Sequence, residues 1–328
     1  VSRRTAQIIG RVGKPKKVLN ILTFDTHERY QTQLAKTGHN FYSFQAPQMK
    51  SWDERFAPRP PNYYTLPNNT VYNGLDIDII LSQSKHGQYQ AARRVQEVLQ
   101  VPVICLEHTT PSEGLTPKDF QALESCFSEH NIFITDYSAA QWKCPMQYSV
   151  IQHSVDTELF QENNGVRPDD IISVVNQFKD RDYCCNFSGW ERIVEGFNWS
   201  LVGDNPGLSE PATNPEMLNV LLCSSKIFLN TSTHSPLPTS MLEAMSSGCA
   251  VVTTATCGIP EVIENDVNGF ASNDEAELRA KIQELLDDPK KTREMGRAAR
   301  KTIEENFSES VFVNNWNMAF NTVYRSIK

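Results

Sequence analysis

Three groups of residues in this chain carry chemistry by type and spacing. From Ile227 to Glu261 the sequence is IFLNTSTHSPLPTSMLEAMSSGCAVVTTATCGIPE. Ile227-Phe228-Leu229 is a short apolar run between polar and Pro-containing residues, the pattern of a buried strand. Thr239 or Ser240 then starts a helix, with Ser240 and Glu243 spaced as an S-x-x-E capping box. Gly248 stops that helix and Cys249–Thr254 reads as the next strand. Gly258-Ile259-Pro260-Glu261 starts a second helix with Pro in its first turn. Helix N-termini that open off the carboxyl ends of α/β strands bind anions, here through Thr239, Ser240 and Met241. The second group is Lys179 and Arg181, which follow the predicted strand Ile171–Val175. Either cation can neutralise a phosphate, Arg with the better bidentate geometry, or both can sit solvated against Asp180 and Asp182. The third group is histidine-centred. His108 ends the predicted strand 101–106, and a side chain there faces the crevice of an α/β domain. His27 and Glu28 lie in a loop with no glycine, so side chains rather than close backbone approach would serve a ligand there.

The segments LEAMSSG (Leu242–Gly248), AVVTT (Ala250–Thr254) and GIPEVIENDVNGF (Gly258–Phe270) closely resemble the donor-binding signature of family-4 retaining glycosyltransferases, which have the GT-B fold. His153–Phe160 resembles the NGVDTELF segment linking that family's two domains, with His153 and Ser154 in place of Asn and Gly. Gly203 and Asp204 fall in a stretch similar to VGDGP, which lies below the nucleotide. The similarity extends over about 280 residues and is densest from Gly203 to Phe307. It implies that Glu243 holds the ribose of a nucleotide-sugar and that backbone N–H groups at the start of its helix hold the diphosphate. It also implies retention of anomeric configuration without an essential metal. His108 matches the position of a family histidine close to the donor sugar. Two departures stand out. Ser235, preceded by His234, occupies the place of a Glu that sits beside the transferred sugar. Gln177 occupies the place of a phosphate-binding Arg.

These residues need scaffolding. Apolar runs at 18–24, 39–44, 77–81, 101–106, 132–135 and 149–152 alternate with helical stretches, and the pattern resumes at 171–175, 199–202, 227–229 and 249–254. Alternation of this kind on both sides of the linking segment implies α/β architecture with two parallel sheets. The expected organisation is a Rossmann-like acceptor-side domain over residues 1–155, a Rossmann-like donor domain over 156–307 and a terminal helix over 308–328 packing back on the first domain. Residues 45–73 show little periodicity and read as a loop whose Trp52, Tyr63 and Tyr64 either stack on a sugar or pack the loop onto its own domain. Asp136-Tyr137-Ser138 is read as the cap of the helix that follows.

Composition narrows the function classes. A net charge of -8 over 328 residues excludes a general nucleic-acid binder, whose affinity rests on phosphate neutralisation, while leaving room for one bound diphosphate. No apolar run reaches the roughly 20 residues of a transmembrane helix. Eight cysteines without C-x-x-C spacing read as reduced thiols of a cytoplasmic protein. Asp76-Ile-Asp78 opens a predicted strand and reads as structural, so no metal ligand set is expected. Arg3, Arg4, Arg11, Lys14, Lys16 and Lys17 form a basic run with two readings, a peripheral contact with anionic lipid or acceptor and a solvated tail. The leading expectation is a glycosyltransferase with a nucleotide-sugar donor as substrate, no cofactor, and a sugar, glycolipid or other small molecule as acceptor. A nucleotide-sugar epimerase of the same fold and a non-catalytic nucleotide-sugar binder are the alternatives.

Overall fold

The structure, a computed structural model, describes residues 17–326 except 46–49, 55–56, 67–69, 73, 85–86, 112–115, 117, 121–126 and 164. The basic run before Lys17 lies outside the described residues, as do His86 and Cys126. The chain forms two compact units, one of residues up to His153 together with Ser310 onward, the other Ser154–Glu309. The sequence expectation set these breaks after residues 155 and 307.

The first unit is a seven-stranded parallel sheet. In chain order its elements are β1 (Asn20–Thr23), α1 (Glu28–Ala35), β2 (Asn40–Phe44), β3 (Tyr63–Leu66), β4 (Ile79–Ser82), α2 (Gln88–Leu99), β5 (Val103–Glu107), β6 (His130–Phe133), α3 (Asp136–Gln141) and β7 (Tyr148–Val150). The strand order β3-β2-β1-β4-β5-β6-β7 reverses between β1 and β4. Parallel strands must be buried on both faces, and Ile21, Ile79, Ile80, Leu81, Ile104 and Leu106 are at most 1% exposed. β3 lies inside the stretch expected to be a loop. Its alternation is obscured because Tyr63 and Leu66 face inward while Tyr64 and Thr65 are exposed at the sheet edge. Thr135, rather than Asp136–Ser138, caps α3 by accepting the Ser138 N–H. Asp78 accepts from the Asn20 N–H and pairs with Lys17, which gives the Asp76–Asp78 stretch its structural role.

The second unit holds a five-stranded parallel sheet of order β12-β11-β10-β8-β9. Its elements are β8 (Asp169–Val174), α4 (Asp182–Cys185), α5 (Phe187–Val194), β9 (Trp199–Val202), α6 (Pro215–Ser224), β10 (Ser225–Asn230), α7 (Thr239–Ser246), β11 (Ala250–Thr253), β12 (Phe270–Ala271), α8 (Glu275–Asp287) and α9 (Pro289–Asn306). Here the order reverses between β10 and β8. Ile171, Ile227, Leu229, Ala250 and Val252 project from the strands into a core closed by Trp190, Ile193, Ile282, Leu285 and Met295. Gly258–Glu261 was expected to start a full helix. It makes only a single 3-10 turn, Ile259–Glu261, because the Asn268 side chain takes the Glu264 N–H and donates to the Val262 carbonyl where helical bonds would continue.

The last helix, α10 (Glu309–Arg325), packs Phe312, Trp316, Phe320 and Val323 into the first unit. Trp316 Nε1–H donates to the Tyr30 hydroxyl at 3.0 Å, and Phe320 meets the rings of His39 and Phe41. No described helix is long and apolar enough to cross a membrane.

Two outcomes follow from this packing. A Cβ on Gly296 in α9 would lie 2.1 Å from the Gly248 carbonyl oxygen. Gly296→Ala is therefore expected to lower stability by about 1–3 kcal/mol, measured as a drop in the urea midpoint of the second unit. The second outcome concerns His39, which is fully buried with Nδ1 accepting the Leu19 N–H at 3.1 Å. Burial pushes its pKa from 6.5 down to about 4. The unfolded chain takes up this proton below its ordinary pKa and the folded chain refuses it. The stabilisation is thus complete above pH ~6.5 and is lost between there and about 4, by roughly 2 kcal/mol at pH ~5. Denaturant titrations of the first unit across this range should show the loss, and a flat profile would contradict it.

Candidate functional site

In open parallel sheets, ligands bind beyond the carboxyl ends of the strands, where the strand order reverses. Each unit carries its sequence-predicted residues at such a place.

In the second unit the loops after β8, β9 and β10 are tied to one another. The Gln177 N–H donates to Asp204 O at 2.8 Å and the Asp204 N–H donates to Asn176 Oδ1 at 2.9 Å. Asn205 accepts the Phe178 N–H and donates to Val175 O. Gly203 sits at φ +146°, and a Cβ there would stand 2.0 Å from the Val175 carbonyl oxygen, so this junction admits only glycine. Thr233 and His234 both donate their N–H to the Cys184 carbonyl, and the Thr231 hydroxyl donates to Cys185 O. On the other side, the Thr254 and Thr256 hydroxyls both donate to Ser232 O. The loop bearing His234 and Ser235 is thereby clamped between α4 and the loop after β11, with both residues half-buried.

Lys179 and Arg181 are exposed in the β8 loop. Among the described residues neither forms an ion pair with a carboxylate. The Lys179 ammonium rests 5.3 Å from the Phe187 ring centre, and Arg181 reaches only the Asn176 carbonyl at 3.5 Å. Asp182, the expected partner in the solvated reading, instead takes the N–H and hydroxyl of Ser188. α7 follows the β10 loop. Its N-cap is Pro238, which makes no side-chain cap hydrogen bond. This corrects the capping box, since Ser240 is the second residue of the helix and Glu243 the fifth. The first N–H groups, those of Thr239, Ser240 and Met241, have no intrahelical acceptor by helix geometry and carry the positive end of the dipole. Glu243 is half-buried.

The opposite end of α7 is held by two guanidinium groups. Arg167 donates to Ser247 O, and to Leu222 O and Ser225 O from the neighbouring α6 end. Arg300 from α9 donates to Ser246 O and Phe160 O. Both arginines were missed in the sequence, where nothing local marks them.

In the first unit, the β1 loop is organised by amide side chains. Gln31 Oε1 accepts the Thr26 and His27 N–H groups while its Nε2 donates to Phe24 O. Gln88 donates to Thr26 Oγ1 and accepts the Gln83 N–H. Asp25, buried and also missed, accepts from Ser43, Gln45, Trp52 N–H and Tyr63 OH. Trp52 and Tyr63 are therefore packing residues of their own domain, with Trp52 Nε1–H on Ala57 O. Tyr64 lies against Tyr42.

His27 and His108 come together, with ring centres 4.8 Å apart, and Tyr30 and His153 complete the cluster. Burial depresses the His108 pKa well below the ordinary histidine value, with His27 and His153 adding to the effect, so the ring is neutral at physiological pH. His153 is pushed down to about 4 by burial and then by His27. Among the described residues no three His, Cys, Asp or Glu side chains converge as a metal ligand set. Glu28 does not present a free carboxylate as expected. It is 3% exposed, pairs with Lys50 at 2.7 Å and accepts the Asp53 N–H. Burial raises its pKa, but the Lys50 hydrogen bond and the backbone donors outweigh that and hold it below the usual range.

Residues 211–302 match the family Glycosyl transferases group 1. Over 96 residues the chain is 35% identical to the α-maltose-1-phosphate synthase of Mycolicibacterium smegmatis, covering 27% of this chain and 25% of that protein. Over 94 residues it is 32% identical to spore coat protein SA of Bacillus subtilis, covering 28% and 23%. It thus spans about a quarter of the length of these curated relatives. Among solved structures it superposes on sucrose-phosphate synthase from Thermosynechococcus elongatus with a TM-score of 0.75 at 13% identity, over 94% of this chain and all of that one. It superposes on Anabaena HepE in complex with UDP with a TM-score of 0.72 at 16% identity, over 93% of this chain and 100% of that one. Residues 211–302 are thus a glycosyl transferases group 1 segment, set in a chain whose two Rossmann-like parallel-sheet domains have the GT-B fold.

Proposed function

We propose that this protein is a glycosyltransferase. It moves a sugar from a uridine or guanosine diphosphate-linked donor to a sugar, glycolipid or other small-molecule acceptor, with retention and without an essential metal or cofactor. The observation that carries this reading is the N-terminus of α7 beyond the carboxyl end of β10, whose Pro238 N-cap makes no side-chain cap bond, in a unit whose adjacent β8 loop offers two cations without carboxylate partners among the described residues. An anion is the ligand such an arrangement stabilises. The family match over residues 211–302 and the UDP and UDP-glucose complexes of HepE support a nucleoside diphosphate as that anion.

In this reading the N–H groups of Thr239, Ser240 and Met241, with Lys179 and Arg181, hold the diphosphate. They also stabilise the negative charge that develops on it as the sugar departs, so binding and leaving-group assistance come from the same groups. Glu243 accepts from the ribose hydroxyls, and the loop of Gly203 and Asp204 lies under the nucleotide. His234 and Ser235 attend the transferred sugar. In the first unit, His108, as a neutral imidazole, and His27 are the candidate ligand contacts. The described cysteines are all free thiols, which supports a reducing, cytoplasmic setting.

Calorimetry and thermal shift with UDP, GDP, ADP and their glucose conjugates test this reading. One nucleotide should bind, and at a hundred times its dissociation constant it should stabilise the second unit by about 2.7 kcal/mol. Replacing both Lys179 and Arg181 with Ala should weaken that binding by roughly tenfold to hundredfold, the range for lost hydrogen bonds to charged groups. Absence of any nucleotide response would overturn the assignment.

A further inference from the structure

The carboxyl end of β4 lies at the strand-order reversal of the first sheet, and Gln83, the first residue after it, is 1% exposed. Its amide makes three hydrogen bonds. Nε2 lies 3.1 Å from Thr23 Oγ1 and 3.4 Å from Phe24 O, and Oε1 lies 3.3 Å from His108 Nε2. The Thr23 hydroxyl spends its proton on Leu81 O, so towards Gln83 it can only accept. The Phe24 carbonyl can only accept in any case. Turning the amide over would set its oxygen against two acceptors, so the NH2 group must face Thr23 and Phe24. Oε1 then faces His108 and can itself only accept. The partner nitrogen, Nε2, must therefore donate.

We infer that Gln83 is a positioning residue that fixes the tautomer of His108, with the proton held on Nε2 and Nδ1 left as the lone-pair nitrogen. The groups facing the ring from the surrounding elements are Gln83 after β4, His27 before α1, Tyr30 within α1 and His153 after β7. His27 and His153 are the titratable neighbours whose charge acts on it, and both disfavour a second proton on the ring. A neutral imidazole with a fixed Nδ1 lone pair accepts a hydrogen bond from a hydroxyl and donates none to it. This selects a hydroxyl-bearing ligand, and its use on a sugar rests on the glycosyl-transfer reading. The tautomer itself does not.

The inference is tested by long-range proton–nitrogen NMR of histidine-labelled protein between about pH 5 and 8, where histidine charge changes are read. His108 is assigned by loss of its signals in His108→Gln. In the wild type, Nε2 should appear as a protonated nitrogen and Nδ1 as an unprotonated one throughout. Gln83→Met removes the acceptor at nearly constant length and should give a mixture of both tautomers. Gln83→Glu keeps an acceptor but adds charge, so it should preserve the tautomer and raise the His108 titration by roughly one to three pH units. A proton on Nδ1 in the wild type, an unchanged His108 spectrum in Gln83→Met, or no rise in Gln83→Glu would each overturn it. Should Gln83→Met fail to fold, the wild-type and Gln83→Glu spectra decide. Titration of the same wild-type sample with UDP, GDP and ADP in turn separates the two readings, since binding of none of them would strike the glycosyl-transfer assignment and leave the tautomer standing.

Discussion

The carbonyl end of α7 is where the second unit is anchored. Ser246 O and Ser247 O receive guanidinium groups from Arg300 and Arg167, which satisfy acceptors that a helix end otherwise leaves exposed and which offset the negative end of its dipole. Gly248 then turns the chain at φ +78°, and the absence of a side chain on Gly296 lets α9 approach that turn at backbone distance. Met241, Leu242, Ala244 and Met245 are all buried between these supports and the sheet. A helix fixed so firmly at one end has little freedom to re-aim the other. The orientation of the N–H groups of Thr239–Met241 is consequently set during folding.

The first unit solves a related problem with amides. The loop after β1 has no glycine and no helix-capping serine, so its backbone N–H groups need other acceptors. Gln31 and Gln88 supply them, while Asp25 gathers four donors from β2, β3 and the segment before it. These long side chains converge from α1, α2 and the end of β4 to hold one short loop beside His27 and His108. α10 braces the same region through Trp316 and Tyr30, whose ring lies edge-on to His108 at 4.5 Å. Buried amide networks of this kind are rigid because each unsatisfied member would cost about 1–3 kcal/mol.

Much of this architecture was legible in the residues. Strands buried on both faces read as runs such as Ile77–Leu81 and Cys249–Thr254, and their alternation with helices announced two parallel sheets. The helix end at Gly248 was equally plain. β3 was hidden, because an edge strand buries only part of one face and its short alternation sinks into a Pro-rich stretch. The Ser240–Glu243 spacing suggested a capping box, yet the helix starts at Thr239 because the loop before it is clamped to α4 and to Thr254 and Thr256. The turn at Ile259–Glu261 stopped short for a reason six or more residues away, the side chain of Asn268.

Sequence alone determined the fold class, the two-sheet plan and the candidate residues beyond β5, β8 and β10, since these follow from local periodicity and from residue types at strand ends. Only the tertiary structure decided which of those groups are free to act. Glu28 and Asp182 were taken by partners, and Lys179 and Arg181 were left without carboxylates among the described residues. His27, His108 and His153 were brought into one cluster from separate loops. Hydrogen bonding and burial are set by neighbours distant along the chain, as Arg300 is from Ser246 and Gln83 from His108. No local pattern of residue types encodes such pairs.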